Sequence, residues 1–230
     1  MVAEELEQVY RQAERWSAKD VLRWAFATYG TGVAIASAFG TEGMVTIDLA
    51  ASISPRLRVF TLDTGYLFPE TCKLMKQVER RYGLRVTRLL PSLTPQMQAG
   101  IHGADLWNRD PESCCRMRKV EPLQQHLSQL QAWITAIRRD QTPARAQAGK
   151  VEWDSNFNLV KVNPLADWTA EMVWAYIRSN HLPYNPMHDQ GYPSIGCTHC
   201  TRPVMPGEPV RAGRWPGSAK TECGLHRKGT

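Results

Sequence analysis

Val33-Ala34-Ile35-Ala36-Ser37-Ala38-Phe39-Gly40-Thr41-Glu42-Gly43 is the stretch on which the fold turns. Residues 33–39 form a mostly apolar run of strand length, as a strand covered on both faces by helices requires. Gly40 and the hydroxyl of Thr41 then break the run, and residues 42–52 carry the apolar spacing of a helix. The unit repeats downstream, with residues 58–63 as a strand, 69–82 as a helix stopped by Gly83, and 85–90 as a further strand. Strand and helix in alternation predict a parallel sheet, because parallel neighbours need a long crossover and the helices supply it.

Working outward, residues 4–16 and 18–29 read as amphipathic helices, the second opened by Ser17 with Asp20 three residues on and closed by Gly30. Beyond the central unit come a helical region over residues 94–127, a strand at 133–138, a hairpin at 150–162 and a helix at 169–180. There is no internal repeat and no low-complexity tract. Residues 1–200 are therefore expected to form one α/β domain. Residues 201–230, with Pro203, Pro206, Pro209, Pro216 and five glycines, are expected to form a mobile C-terminal arm.

A chain of 230 residues with 43% hydrophobic content buries a proper core and fits a soluble enzyme. The formal charge of +6 invites a nucleic-acid reading, but residues 201–230 hold six Lys or Arg against two Glu, so most of the excess lies in the tail. The N-terminus lacks the pattern of a signal peptide, and no apolar run approaches the ~18 residues of a membrane span. A cytoplasmic location follows, where thiols stay reduced.

Five of the six cysteines fall into a constellation: the neighbours Cys114 and Cys115, the C-x-x-C pair Cys197 and Cys200, and Cys223 near the C-terminus. A C-x-x-C turn brings two sulfurs to one metal centre, and a second pair completes a four-thiolate site. Adjacent helical residues point roughly 100° apart, so Cys114 and Cys115 chelate one zinc ion only with strain, whereas a centre with several irons offers them different corners. Iron with sulfide is therefore favoured over zinc, and Arg116, Arg118 and Lys119 supply cations for its negative charge. A structural disulfide is the main competitor, and the reducing compartment argues against it. Cys72, inside an apolar helical stretch, reads as core.

In open parallel sheets ligands collect at the carboxyl ends of the strands. Residues 37–43, the Leu62-Asp63-Thr64-Gly65 stretch and residues 138–145 all fall there. Arg138, Arg139 and Arg145, three arginines within eight residues, suit a polyanion, although such a run is as often a solvated loop.

Three further stretches carry a resemblance. Leu106-Trp107-Asn108-Arg109-Asp110-Pro111 leads into Cys114-Cys115-Arg116-Met117-Arg118-Lys119-Val120-Glu121-Pro122-Leu123, followed by Gly196-Cys197-Thr198-His199-Cys200-Thr201 and by Glu222-Cys223-Gly224-Leu225-His226. In this order they resemble the assimilatory sulfonucleotide reductases, most closely the iron-sulfur branch that acts on adenylyl sulfate (APS). The resemblance implies an adenine-nucleotide alpha-hydrolase-like (PP-loop) fold with a parallel sheet flanked by helices. It implies one 4Fe-4S cluster on Cys114, Cys115, Cys197 and Cys200, without redox turnover, and Cys223 as the nucleophile. Lys119 is then the residue linking cluster and substrate, with Ser37, Gly40, Leu62, Arg138, Arg139, Arg145, Arg211 and Arg214 around the nucleotide and its phosphosulfate. The implied reaction is thioredoxin-dependent reduction of APS to sulfite and AMP in sulfate assimilation and cysteine biosynthesis, by a chain that resemblance also makes a candidate homo-oligomer. The chain departs from the family in having Ala136 before the arginine segment, where glycine is usual, and Pro216-Gly217 after Trp215.

Alternatives come from the same and from a different class. A 3'-phosphoadenylyl-sulfate (PAPS) reductase, or an enzyme accepting both nucleotides, differs only by one phosphate to be met. A basic zinc module binding nucleic acid needs compact ligand spacing, whereas 81 residues separate Cys115 from Cys197.

Overall fold

The computed structural model describes residues 3–218 together with 220, 222, 224 and 225. Cys223, expected to be the nucleophile, and His226 lie outside the described residues.

The sheet has six strands: β1 (Val33–Ala36), β2 (Val59–Leu62), β3 (Val86–Leu89), β4 (Ala132–Ile134), β5 (Val151–Asp154) and β6 (Leu159–Val162). Their order across the sheet is β3-β2-β1-β4-β6-β5, and every neighbouring pair is parallel except β5 with β6, the hairpin at the edge. The chain reverses direction of travel between β1 and β4, so the carboxyl ends of these two strands open a crevice.

Alternation along the strands divides the core in two. Val33, Ile35, Val59, Ala132, Ile134, Val160 and Val162 join the larger cluster, while Ala34, Phe60 and Trp133 face the opposite side. The larger cluster is completed by α2 (Ala18–Tyr29), α3 (Thr41–Ala51), α4 (Pro69–Tyr82) and α9 (Ala170–Ser179), with the N-terminal α1 (Ala3–Ala13) contributing Ala13. The smaller one is covered by α8 (Glu121–Leu127) through Leu123 and Leu127. Ser17 caps α2 as its spacing predicts, accepting from the Asp20 amide, and Gly83 ends α4 in the left-handed conformation at φ 61°.

The structure departs from expectation in two places that matter for the site. The strand predicted at 133–138 ends at Ile134, because the Thr135 hydroxyl turns to Asn163 Oδ1 at 2.5 Å and the chain leaves the sheet, carrying Arg138 out over the strand ends. The helical region at 94–127 is also not one helix. It breaks into α5 (Pro95–His102), α6 (Leu106–Arg109), α7 (Pro111–Cys115), a π-helical turn (Arg116–Val120) and α8. Gly103 at φ 80° and Asp105 at φ 54° separate α5 from α6. The π turn follows from Pro122, whose ring nitrogen cannot donate to the Arg118 carbonyl; the Glu121 amide instead reaches back to Arg116.

Candidate active site

Cys114 and Cys115 end α7, whose N-terminus is capped by Asp110 accepting from the Ser113 amide at 3.0 Å. Cys197 and Cys200 sit on a tight turn in which the Cys200 amide donates to the Cys197 carbonyl at 3.0 Å. All four are buried free thiols. The fold brings the two pairs together: Cys115, Cys197 and Cys200 pack in one cluster with Trp215, Tyr66 and Trp107, and the thiol of Cys114 feels those of Cys115 and Cys197. Burial, then the charge of its neighbour Cys115, pushes the Cys114 thiol up; burial and then Cys197 push Cys200 up to about 11, against the pull of Lys119. These sulfurs resist ionising together unless a cationic centre joins them.

The turn after β2 holds the C-x-x-C segment. Thr64 Oγ1 lies 3.3 Å from Cys197 Sγ, the Thr198 amide donates to the Tyr66 carbonyl at 2.8 Å, and Leu67 bridges Cys197. Gly65, at φ 72°, passes so close to Pro95 that a Cβ would lie 3.1 Å from its ring. Arg118, 1% exposed, donates through Nη1 to the Thr64 carbonyl at 2.7 Å and lies over the Tyr66 ring. Its Nε and Nη2 have no hydrogen-bond partner among the described residues. A buried guanidinium beside cysteine sulfurs, with donors to spare, is suited to an anion.

Among the described residues no three His, Cys, Asp or Glu side chains form a single-ion site. Cys114, Cys115, Cys197 and Cys200 are buried sulfur donors of the kind that hold metal centres.

Trp215, 3% exposed, ties the thiols to the cations. Arg214 lies 4.6 Å from its ring centroid, Lys220 5.6 Å, and Lys119 and Arg211 5.9 Å each. Cations ~8 Å apart at an effective dielectric of ~20 repel by about 2 kcal/mol per pair, so this group needs negative charge. Carboxylates meet two of its members: Lys220 pairs with Glu112 on α7 at 2.5 Å, and Arg211 with Glu222 at 3.4 Å. Arg214 donates to the Ser194 hydroxyl at 3.1 Å.

Of the nominated cations, Lys119, Arg211 and Arg214 therefore meet around Trp215, and Arg145 is linked to Arg211 through Glu222. Arg138 and Arg139 face elsewhere. Arg138 is held by Glu42 at 3.1 Å and Asp140 at 2.5 Å, and Arg139 reaches Glu14 of the N-terminal region at 2.5 Å and the Ala148 carbonyl. Ser37 is buried at the end of β1, where its hydroxyl accepts from the Phe39 amide at 3.1 Å; a Cβ at Gly43 would come within 2.6 Å of it. Gly40 caps α3, and Leu62 closes β2 half-buried, so both border the crevice.

Sequence reasoning did not assign roles to Trp215, Lys220 or Glu222, and it named Arg118 only as one of the cations beside the cysteine pair and Thr64 only within residues 62–65. The aromatic within Arg211-Ala212-Gly213-Arg214-Trp215 and the acidic neighbour of Cys223 were the available signals.

Comparison with known proteins gives the family. The model of the phosphoadenosine phosphosulfate reductase domain matches residues 32–203. A Halalkalibacterium halodurans protein named adenosine 5'-phosphosulfate reductase is 46% identical over 223 residues, covering 96% of each chain. A Gloeobacter violaceus protein named phosphoadenosine 5'-phosphosulfate reductase is 46% identical, covering 96% of this chain and 93% of its own. Among solved structures, the phosphoadenylyl-sulfate reductase of Candida auris in its phosphate complex superposes with a TM-score of 0.76 at 29% identity, covering 86% of this chain and 97% of its own. With its α/β sheet, crevice and paired cysteines, the chain belongs to the phosphoadenosine phosphosulfate reductase domain family.

Proposed function

We propose that this chain reduces adenylyl sulfate to sulfite and AMP, with Cys223 as the nucleophile. The observation that carries the reading is the ring of Lys119, Arg211, Arg214 and Lys220 around Trp215, which packs with the buried thiols of Cys115, Cys197 and Cys200. A phosphosulfate has an electrophilic sulfur screened by anionic oxygens, and a thiolate reaches it only where cations neutralise them.

The Cys223 thiolate attacks the sulfuryl sulfur, the S–O bond to the phosphate breaks, and AMP leaves with that bonding pair. The product on the protein is an S-sulfocysteine. A dithiol reductant of the thioredoxin kind then attacks the Cys223 sulfur, sulfite departs with the electrons of the S–S bond, and the second thiol of the reductant resolves the mixed disulfide. Cys223 regains its thiol and the reductant ends as a disulfide.

Lys119, Arg211 and Arg214 hold the phosphosulfate oxygens; Ser37, Gly40 and Leu62 hold the nucleotide at the strand ends. The C-terminal segment opens to admit the nucleotide and closes over it. Cys114, Cys115, Cys197 and Cys200 would hold a 4Fe-4S cluster, with Arg118 and Lys119 as its buried counter-charges. Bound there, the cluster supplies fixed charge and structure. Thiols that must remain reduced suit the cytoplasm.

Mixing anaerobically purified protein with APS, in the absence of thiol, should add one SO3 to the Cys223 peptide, released as sulfite by thioredoxin. An unmodified peptide in protein with full iron content would overturn the reading. The Gloeobacter relative named for PAPS, at 46% identity, favours a second reading in which PAPS is also accepted. PAPS in a parallel reaction decides it.

A further inference from the structure

Two ion pairs of opposite polarity lie just before position 223 in the sequence. Lys220 is paired with Glu112 of α7, the helix that carries Cys114 and Cys115. After one further residue, Glu222 is buried at 4% exposure. Its carboxylate accepts from Arg145 Nε at 3.1 Å and Nη2 at 2.8 Å, from Thr142 Oγ1 at 3.1 Å and from Arg211 Nη2 at 3.4 Å. Beyond position 223, Leu225 packs against the apolar cluster under α8. Arg145 spends both arms of its fork on Glu222, and its Nη1 goes to Gln141 at 2.6 Å.

We propose that Glu222 is a positioning residue, a latch that fixes the register of the C-terminal segment, and that Arg145 serves the reaction through Glu222 rather than by touching the phosphosulfate. The inference rests on the reading of Cys223 as nucleophile. Its physical basis is that a carboxylate buried among arginines is held by geometry as well as charge, and breaking such a pair leaves an uncompensated buried ion. The alternation of sign opposes a slip of two residues. A slip of two residues that brought Lys220 to Arg145, or Glu222 to Glu112, would set like charges against each other.

The test uses the full, iron-loaded chain with E222Q, R145Q and the double variant, and three measurements. These are the single-turnover rate of Cys223 sulfonation at saturating APS, the Kd for APS, and the rate at which a lysine-specific protease cuts after Lys220. E222Q should slow sulfonation by about tenfold to a hundredfold, a loss of about 1.4–2.8 kcal/mol, speed cleavage after Lys220 by a comparable factor, and leave the Kd within about threefold. R145Q should do the same, and the double variant should be no worse than either single one. Iron content equal to wild type shows that the body is intact.

A large loss of APS affinity in R145Q, with additive effects in the double variant, would make Arg145 a substrate ligand and overturn the proposal. So would wild-type protection of the Lys220 bond in E222Q. If the unaltered protein is never sulfonated, the reading of Cys223 fails, while the cleavage rates still decide whether Glu222 holds the segment.

Discussion

The thiol end of the site and the arginine loop after β4 are built from similar materials, side chains that ionise, yet they behave oppositely. Cys115, Cys197 and Cys200 gather in an apolar cluster with Trp215, and the buried cation beside them, Arg118, keeps two donors without hydrogen-bond partners among the described residues. In the arginine loop, Arg138 is matched by Glu42 and Asp140, Arg139 by Glu14, and Arg145 by Glu222. One end is left in need of an external partner. The other is largely neutralised by the chain itself, so a run of arginines marks a place where carboxylates dock as readily as one where a substrate does.

The strongest way to break this contrast is at the thiols. Cys197→Ser should lose most of the bound iron and labile sulfide, since hydroxyls are poor ligands for iron in such clusters. Elemental analysis of anaerobically purified protein checks it. Iron content unchanged by the substitution would mean that the thiols are not ligands, and the apparent need for a partner at this end would vanish.

Next in size is Arg118→Lys. Lysine keeps the charge but cannot reproduce the planar fork that reaches the Thr64 carbonyl while lying over Tyr66. Removal of iron by a chelator should become roughly tenfold faster, about 1.4 kcal/mol, with the initial iron content near wild type. An unchanged chelation rate would reduce Arg118 to a packing residue.

The same contrast explains what could be read from the sequence. Strand-helix alternation, the Ser17 cap and the Gly83 stop were legible because each depends on neighbours within a few residues. The cysteines were legible because metal ligation restricts both residue type and spacing. The arginines were not, because their partners come from far along the chain: Glu14 lies 125 residues before Arg139, and Glu222 lies 77 after Arg145. The π turn was hidden for a different reason. Helical spacing in residues 94–127 is continuous enough to suggest one helical region, and only Pro122 marks where the ladder widens.

A smaller effect is expected at the exposed edge of the arginine loop. Arg139→Gln removes a pair whose partners are each more than a third exposed and which water screens. It should cost no more than about 1 kcal/mol of stability and leave sulfonation within about threefold. Arg138→Gln should cost more, since its side chain is 8% exposed and Glu42 loses its main cation. Thermal unfolding and single-turnover kinetics of the two variants side by side give the ordering. If Arg139→Gln slowed sulfonation a hundredfold at unchanged stability, the loop would be binding substrate after all.

The smallest expected effect is that of pH on the latch, and it separates Glu222 from other titrating groups. Burial would raise the Glu222 carboxyl, but Arg145, then Arg211 and the Thr142 hydroxyl, outweigh it and hold the group below the usual carboxylate range. A carboxyl whose folded-state value is depressed contributes stability that is fully present above its unfolded value, ~4.3, and is lost only as pH falls through the lower folded value. Between pH 8 and pH 5 the Glu222 pair should therefore contribute no change to the protection of the Lys220 bond. A transition centred near ~6.5, the ordinary range of histidine, would assign the closure to a histidine and leave Glu222 as a passenger in its arginine pocket. A flat profile in wild type, with E222Q uniformly less protected across the same window, is the result that a latch made of permanently ionised partners requires.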